Sequence, residues 1–428
     1  MSEVAQAPHS SPDGHIPQLR FPEFSGEWGR KLFNNIVDII DGDRGVNYPK
    51  SNDFFNDEYC LFLSAKNVTK NGFIFNETQF ITKERDALLR KGKLSRGDIV
   101  LTTRGTVGQF AFYSDDVLYD NIRINSGMVL LRNNNDNLLN SYFFKACKSF
   151  QISRQIKIVA FGSAQPQLTV KEINKIKINL PTKPEQQKIA AFLTAVDNKI
   201  EQLSKKQALL GSWKKGLMQQ IFSQAIRFKA DDGSAFPVWE EKNIVELAKT
   251  SIGLVTSMTP YYVDKGVPLI RNNDIFQNKI RKEKLIRLDY EFDQLNKNRR
   301  LFTNDIVTVH TGNIGASAVI DEELNGCQGF ATLNTRIKNQ NEISSSFLCW
   351  YYNSTRNIKY ALSMATGDGR SNYNLKDFNK ATIPVPSLPE QTKIAAFLTA
   401  ADNKIEQVGK QFDESKQFKK ALLQQMFV

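Results

Sequence analysis

Two stretches of this chain place the same turn beside different hydrogen-bonding side chains. They are "LSRGDIVLTTRGTVG" (94–108) and "LFTNDIVTVHTGNIG" (301–315). In this register Asp98 meets Asp305, Gly105 meets Gly312 and Gly108 meets Gly315. Each stretch reads as a short β-strand followed by a glycine turn. Side chains that make paired hydrogen bonds are the ones that read base edges: Arg on guanine, Asn or Gln on adenine. The candidates in the first copy are Lys66, Asn67, Thr103, Arg104, Thr106, Asn121 and Arg123. In the second they are Arg271, Asn272, Asn273, His310, Thr311 and Asn313. Arg104 becomes Thr311 at the aligned turn, so one geometry carries two chemistries.

Basic residues precede each strand. "LLRKGKL" (88–94) aligns with "LNKNRRL" (295–301), giving Arg90, Lys91 and Lys93 in one copy and Lys297, Arg299 and Arg300 in the other. Such cations neutralise phosphates, and glycine lets the backbone approach them. A later loop, "FGSAQPQLTVKEI" (161–173), aligns with "TGDGRSNYNLKDF" (366–378). Its Gln165, Gln167, Arg370 and Asn372 face the nucleic acid or shape the turn.

Catalytic chemistry is sparse by contrast. The histidines are His9, His15 and His310, and Thr103 replaces the last in the first copy. That argues against zinc or histidine-based catalysis. No Walker A sequence and no glycine-rich dinucleotide loop is present. Asp232 with Glu240 and Lys242 has the residue types of a Mg²⁺-dependent nuclease, but the first copy lacks these acids. Cys60, Cys147, Cys327 and Cys349 form no C-x-x-C pair and read as buried thiols of a reducing compartment.

The 428 residues carry 57 Lys and Arg against 45 Asp and Glu, a net charge of +12. A basic excess of that size points to a polyanion, of which nucleic acid is the commonest. The N-terminal stretch has neither the basic nor the apolar segment of a signal peptide. Residues 1–18 read as a disordered polar arm. With no apolar run long enough to span a bilayer, the expectation is a cytoplasmic protein with no membrane partner.

The elements that must position these residues are repeated too. "PEQQKIAAFLTAVDNKIEQL" (184–203) recurs as "PEQTKIAAFLTAADNKIEQV" (389–408), with 17 of 20 positions identical at an offset of 205. "KKGLMQQIF" (214–222) recurs as "KKALLQQMF" (419–427). Proline in the first turn followed by Glu is a helix start. Steps of four and three give a heptad seam. It runs Ile189, Leu193, Val196, Ile200, Leu203, Gln207, Leu210, Lys214, Leu217, Ile221 in the first helix. In the second it runs Ile394, Leu398, Ala401, Ile405, Val408, Phe412, Ser415, Lys419, Leu422, Met426. A helix of about 38 residues is about 57 Å long, and so narrow a seam needs a partner helix. Mutual pairing of the two copies, antiparallel as the connectivity requires, is the expectation. Lys214 and Lys419 are matched exceptions in the seam, with no role visible from sequence.

The expected fold class is therefore α+β: two globular parts joined by two long antiparallel coiled-coil helices, a pseudo-two-fold symmetric tandem repeat. The divisions fall at 1–18, 19–180, 181–225, 226–385 and 386–428.

The quoted motifs resemble the specificity subunit of Type I restriction–modification systems. The most specific are "GSAQPQLTVKEINKIKINLPTKPEQQKIAAFL", its second copy ending "VPSLPEQTKIAAFL", and "GDIVLTTRGTVG". The resemblance runs from "LRFPEFSGEW" to "LLQQMF". It implies a non-catalytic subunit whose two target-recognition domains (19–180 and 226–385) each read half of a bipartite double-stranded DNA site. The spacer helices (181–225 and 386–428) would set the gap. It further implies two methyltransferase subunits and restriction/translocase subunits as partners. S-adenosylmethionine, ATP and Mg²⁺ would then lie on the partners, and no cofactor on this chain. Expected docking faces centre on Glu185, Gln186, Lys188 and Lys199, and on Glu390, Gln391, Lys393 and Lys404. Two other classes compete. A single-chain nuclease–methylase would need an N-P-P-Y-type motif, which "TPYY" (259–262) only approaches. A structural scaffold leaves the paired basic turns unexplained.

Overall fold

The computed structural model describes residues 16–160, 166–365 and 371–428. The chain divides into two compact units. One comprises residues up to Leu203 together with Gln411–Val428, and the other Ser204–Lys410. Both divisions fall inside the long helices, Lys183–Phe222 and Leu388–Gln425, so each helix contributes one segment to each unit.

In the first unit the strand Gly29–Leu32 pairs antiparallel with Lys177–Leu180, which leads into the first long helix. A four-stranded sheet has the order Val37–Asp41, Met128–Asn133, Ile99–Thr102, Phe110–Phe112. A three-stranded sheet places Cys60–Leu63 between Phe80–Ile81 and Ile122–Ile124, the latter pairing parallel. The aromatic-rich helix Asn140–Cys147 and the helix Phe150–Ala160 cover the four-stranded sheet.

The second unit repeats the plan. Glu240–Asn243 pairs with Thr382–Val385. Its four-stranded sheet runs Ala248–Ile252, Thr332–Ile337, Ile306–Val309, Ser317–Val319. Ser345–Tyr352 and Thr355–Met364 are its covering helices. The strands expected ahead of the two glycine turns occur as Ile99–Thr102 and Ile306–Val309, because apolar content there agrees with the local fold.

Within each unit the segments of the two long helices share one core. Ile189, Ala190 and Leu193 are buried with Leu422, Met426 and Phe427 in the first unit. Met218, Ile221 and Phe222 are buried with Ile394, Ala395 and Leu398 in the second. In the second unit Gln207 meets Gly409 and Lys214 meets Asp402. One number rises as the other falls, so the segments run antiparallel. The two lysines in the seam have carboxylate partners. Lys214 pairs with Asp402, and Lys419 with Asp197 at 2.5 Å. Both acids and both lysines are 205 residues apart in sequence, so the same ion pair fixes the same register in each unit. Burial alone would push the Asp197 carboxyl up; Lys145 and Lys419 outweigh it and hold it below the usual range.

Four of the expected docking residues lie inside the protein. Glu185, Gln186, Glu390 and Gln391 are each 1% exposed or less. Glu185 accepts from Arg20 Nε at 2.7 Å, Arg20 Nη2 at 2.8 Å and Trp28 Nε1 at 3.3 Å. Glu390 accepts from Arg227 Nε at 3.1 Å, Arg227 Nη2 at 2.7 Å and Trp239 Nε1 at 2.9 Å. The position in the first helical turn favours the carboxylate, and the Arg–Trp pair draws it inward. Gln186 accepts from Leu139 N and donates to the carbonyls of Asn137 and Pro181. Gln391 accepts from Ser344 N and donates to those of Glu342 and Pro386. These glutamines tie the covering helices to the long helices and leave no donor for a partner. Lys188, Lys199 and Lys404 are exposed, and Lys393 is partly buried against Asp231.

Cutting one carboxylate tests this clamp. Glu185→Ala leaves the Arg20 guanidinium, 12% exposed, without its counter-charge. Breaking a buried pair in this way costs about 3–5 kcal/mol. A urea titration should show the loss for Glu185→Ala and Glu390→Ala. The exposed Lys199→Ala should shift stability by less than about 0.5 kcal/mol.

Candidate nucleic-acid interface

The paired glycine turns are built alike. Gly105, Gly108, Gly312 and Gly315 all have φ between 72° and 91°, a region that side-chain-bearing residues avoid. At Gly108 an added Cβ would lie 3.1 Å from Ile156 Cγ2, and at Gly315 it would lie 2.9 Å from Ile358 Cδ1. The turn is thus pressed against the second covering helix in each unit. Gly108 N donates to Thr102 O and Gly315 N to Val309 O, both at 2.9 Å. The loop that leads on to each long helix returns to the turn. Leu168 N donates to Thr103 O at 3.0 Å, and Tyr373 N to His310 O at 2.9 Å.

This scaffold leaves different side chains outward. Arg104 and Thr106 are exposed in the first unit, and Asn313 in the second, with His310 and Thr311 partly buried. Thr311 Oγ1 donates to Asn372 Oδ1 at 2.7 Å. Asn273, Thr311, Gly312, Ile314 and Ser371 line one cleft. The structure therefore brings together Asn273, Thr311 and Asn372, which are far apart in sequence. Burial pushes the His310 imidazole below its ordinary pKa, so it is neutral at pH 7. In the first unit an added Cβ at Gly105 would sit 3.9 Å from Ala65 Cβ. The short turn carrying exposed Lys66 thus adjoins Arg104 and Thr106. Lys66 pairs with Glu77 at 2.7 Å on the surface. Arg90, Lys91 and Lys297 are exposed, and Asn121 and Asn272 are partly buried. Gln165 and Arg370 lie outside the described residues.

Several expected contact residues serve the fold instead. Asn67 is 2% exposed; its side chain accepts from Ser64 N and donates to the carbonyls of Ile74 and Glu77. Thr103 is 4% exposed. Arg123 is buried, pairs with Asp86 and donates to the carbonyls of Lys91, Asp86 and Leu89. Lys93 also pairs with Asp86, as Arg300 does with Asp293. Burial acts to raise the Asp86 pKa, but Lys93 and Arg123 hold it below the usual range. Arg271 pairs with Asp274 at 3.0 Å. Arg299 Nη1 donates to the carbonyls of Ile252 and Gly253. Residue type alone marks the lysines and arginines among them as free, because it does not show the acids and carbonyls they meet in the fold. Ser371 lines the cleft without being among the expected residues, although its place beside Asn372 in the aligned loop is a signal for it.

Of the nuclease-like trio, Glu240 and Lys242 are joined as an ion pair. Asp232 accepts from Ser234 N in its own turn, and Lys242 pairs with Glu342 at 2.6 Å and Glu240 at 3.2 Å. Among the described residues no cluster of three His, Cys, Asp or Glu side chains is placed to hold a metal ion. All four cysteines are buried and free. Burial, with the nearby Asp86 charge, pushes the Cys60 thiol up to about 12, and burial does the same for Cys327. Neither is a nucleophile at neutral pH. Among the described residues no helix is long and apolar enough to cross a membrane.

The family model of the Type I restriction modification DNA specificity domain matches twice, at residues 32–210 and 238–412. The chain belongs to this family, as a specificity subunit with two DNA-recognition domains in tandem, and it is not an enzyme in its own right. It is 24% identical over 383 residues to the putative type I restriction enzyme MjaX specificity subunit of Methanocaldococcus jannaschii, covering 84% of this chain and 83% of that one. The MjaVIII specificity subunit of the same organism is 25% identical over 359 residues, covering 81% and 79%. Among solved structures, the Type-I restriction-modification system S subunit from M. genitalium superposes with a TM-score of 0.57 at 15% identity, covering 96% of this chain and 99% of that one. The HsdS subunit from Thermoanaerobacter tengcongensis gives 0.51 at 17% identity, covering 92% and 95%.

Arg104→Ala and Asn313→Ala should change stability by less than about 0.5 kcal/mol while weakening or relaxing sequence-specific DNA binding. Arg123→Ala should unfold at lower denaturant, having left Asp86 short of a charge. Parallel melts and duplex titrations separate the two groups.

Proposed function

We propose that each recognition domain reads one half of a bipartite double-stranded DNA site, and that the two long helices fix the gap between halves. The observation that carries this is the doubled turn: the same backbone geometry presents Arg104 and Thr106 in one unit and Thr311 and Asn313 in the other. A shared scaffold with unlike outward side chains suits two readers of unlike sequences.

The long helices also serve as docking surfaces for two methyltransferase subunits, and restriction/translocase subunits complete the assembly in the cytoplasm. Support comes from exposed positions. Ala191, Thr194, Asn198 and Lys199 recur as Ala396, Thr399, Asn403 and Lys404, and all eight are exposed. Internal packing does not require identity at such positions; a partner that meets both copies does. With Glu185, Gln186, Glu390 and Gln391 buried, the docking role falls to Lys188, Lys199, Lys393 and Lys404 and the residues around them. S-adenosylmethionine, ATP and Mg²⁺ act on the partner subunits in this reading.

Mapping methylated sites in cells that express the chain with its methyltransferase partner tests the proposal. A two-part motif with one fixed gap is expected; a continuous motif contradicts it. Inserting four residues (about one helical turn) after both Leu203 and Val408 should lengthen the gap and leave both half-sites unchanged. Lys199→Glu should reduce the complex from two methyltransferase subunits to one, read by native mass.

A further inference from the structure

The two units differ sharply at one place where their folds coincide. In the first unit Asp197 pairs with Lys145 and Lys419, each at 2.5 Å. Lys148 lies one turn beyond Lys145, with its Nζ 4.3 Å from the Phe144 ring centroid. Among the described residues it has no carboxylate partner. Three cations thus gather on one carboxylate. In the second unit the equivalent of Lys145 is Trp350 and that of Lys148 is Asn353. There Lys214 pairs with Asp402 and lies 5.4 Å from the Trp350 ring centroid. Asn353 is 4% exposed and fully hydrogen-bonded: Nδ2 donates to Asn278 Oδ1, Ser317 O and Cys349 O, and Oδ1 accepts from Ser317 N.

The duplication acts as an internal control. The second unit builds the same helix junction with a neutral amide and one ion pair, so the fold does not require the extra cations. Like charges at short range and partial desolvation make the first arrangement costly. An anion from outside offsets that cost.

We infer that Lys148, set beside Lys145 and Lys419 that Asp197 already holds, is a backbone-phosphate contact of the first unit, by which the chain grips duplex DNA through charge alone and which the second unit lacks. The inference rests on the reading that this chain binds duplex DNA. Distance favours a phosphate. Lys148 lies two residues before the helix Phe150–Ala160, whose Ile156 abuts Gly108 of the reading turn. The six steps from Phe150 to Ile156 rise about 9 Å, the span of two or three phosphates along one strand at about 3.4 Å each. Burial, with Lys419 and Lys145 opposing Asp197, lowers the Lys148 ammonium to about 8. The groups that face it are Lys419, Asp197, Lys145 and Cys147. A phosphate would restore its proton, so the contact weakens as pH rises through that value.

The test uses the assembled methyltransferase complex and a 40-base-pair duplex of arbitrary sequence. With Lys148→Met, the plot of log affinity against log salt should become shallower by about 0.9, equally for all sequences. The melting temperature should not fall. Wild-type affinity should drop between about pH 8 and 9, and Lys148→Arg, which stays charged, should abolish that drop. An unchanged salt slope, with wild-type binding intact, overturns the phosphate contact and spares the DNA reading. Loss of a methyltransferase subunit from the Lys148→Met complex also overturns it, since the anion is then a partner's carboxylate. A lowered melting temperature overturns it in favour of a structural lysine. A wild-type complex with no salt-dependent duplex binding overturns the DNA reading and this inference together.

Discussion

Glu185 and Glu390 are carboxylates with almost no access to water, each in the first turn of a long helix. A charge so placed is tolerated only when its oxygens are fully engaged. Each is met by one arginine fork and one indole N–H from the start of its own domain. The clamp therefore fixes three things at once: where the domain begins, where the helix begins, and which helix face turns inward. The strand pairs Gly29–Leu32 with Lys177–Leu180, and Glu240–Asn243 with Thr382–Val385, close the same junction through the backbone. The glutamine that follows each glutamate then anchors the covering helix. Clamp, strand pair and glutamine together tie the reading turn to the helix segment of its unit.

A second layer of buried acids separates structural cations from cations free to meet DNA. Asp98 pairs with Arg132 and Asp305 with Arg336, at the start of each D-I-V strand. Asp86 takes Lys93 and Arg123, and Asp293 takes Arg300. These pairs hold the strands that present the glycine turns. The cations they use have little left for phosphates, because leaving would strand a buried carboxylate. Arg104, Arg90, Lys91 and Lys297 are exposed. The chain's net charge of +12 therefore overstates what faces a ligand at any one turn.

The two units preserve the clamp, the seam ion pair and the turn, and they diverge where side chains point outward. Lys214 with Asp402 and Lys419 with Asp197 hold the helix register in both. A charged pair in an apolar seam is a device for specifying register rather than for adding stability. That is the role sequence could not assign to the two lysines. Lys145 and Lys148 stand where the second copy has Trp350 and Asn353, and the proposed phosphate contact rests on that divergence.

The sequence by itself determined the duplication, the α+β pattern, the long paired helices, the glycine turns and the family, because each rests on local spacing. Period-3.5 seams, D-I-V runs ahead of glycines and repeats at an offset of 205 can be read without knowing what lies across the core. Only the tertiary structure decided which polar residues face outward. Glu185, Gln186, Asn67 and Arg123 look like surface residues in a sequence, yet each has a partner between 7 and 165 residues away. Burial of a charge depends on whether a counter-charge arrives from a distant strand or helix, and residue type at one position carries no record of that.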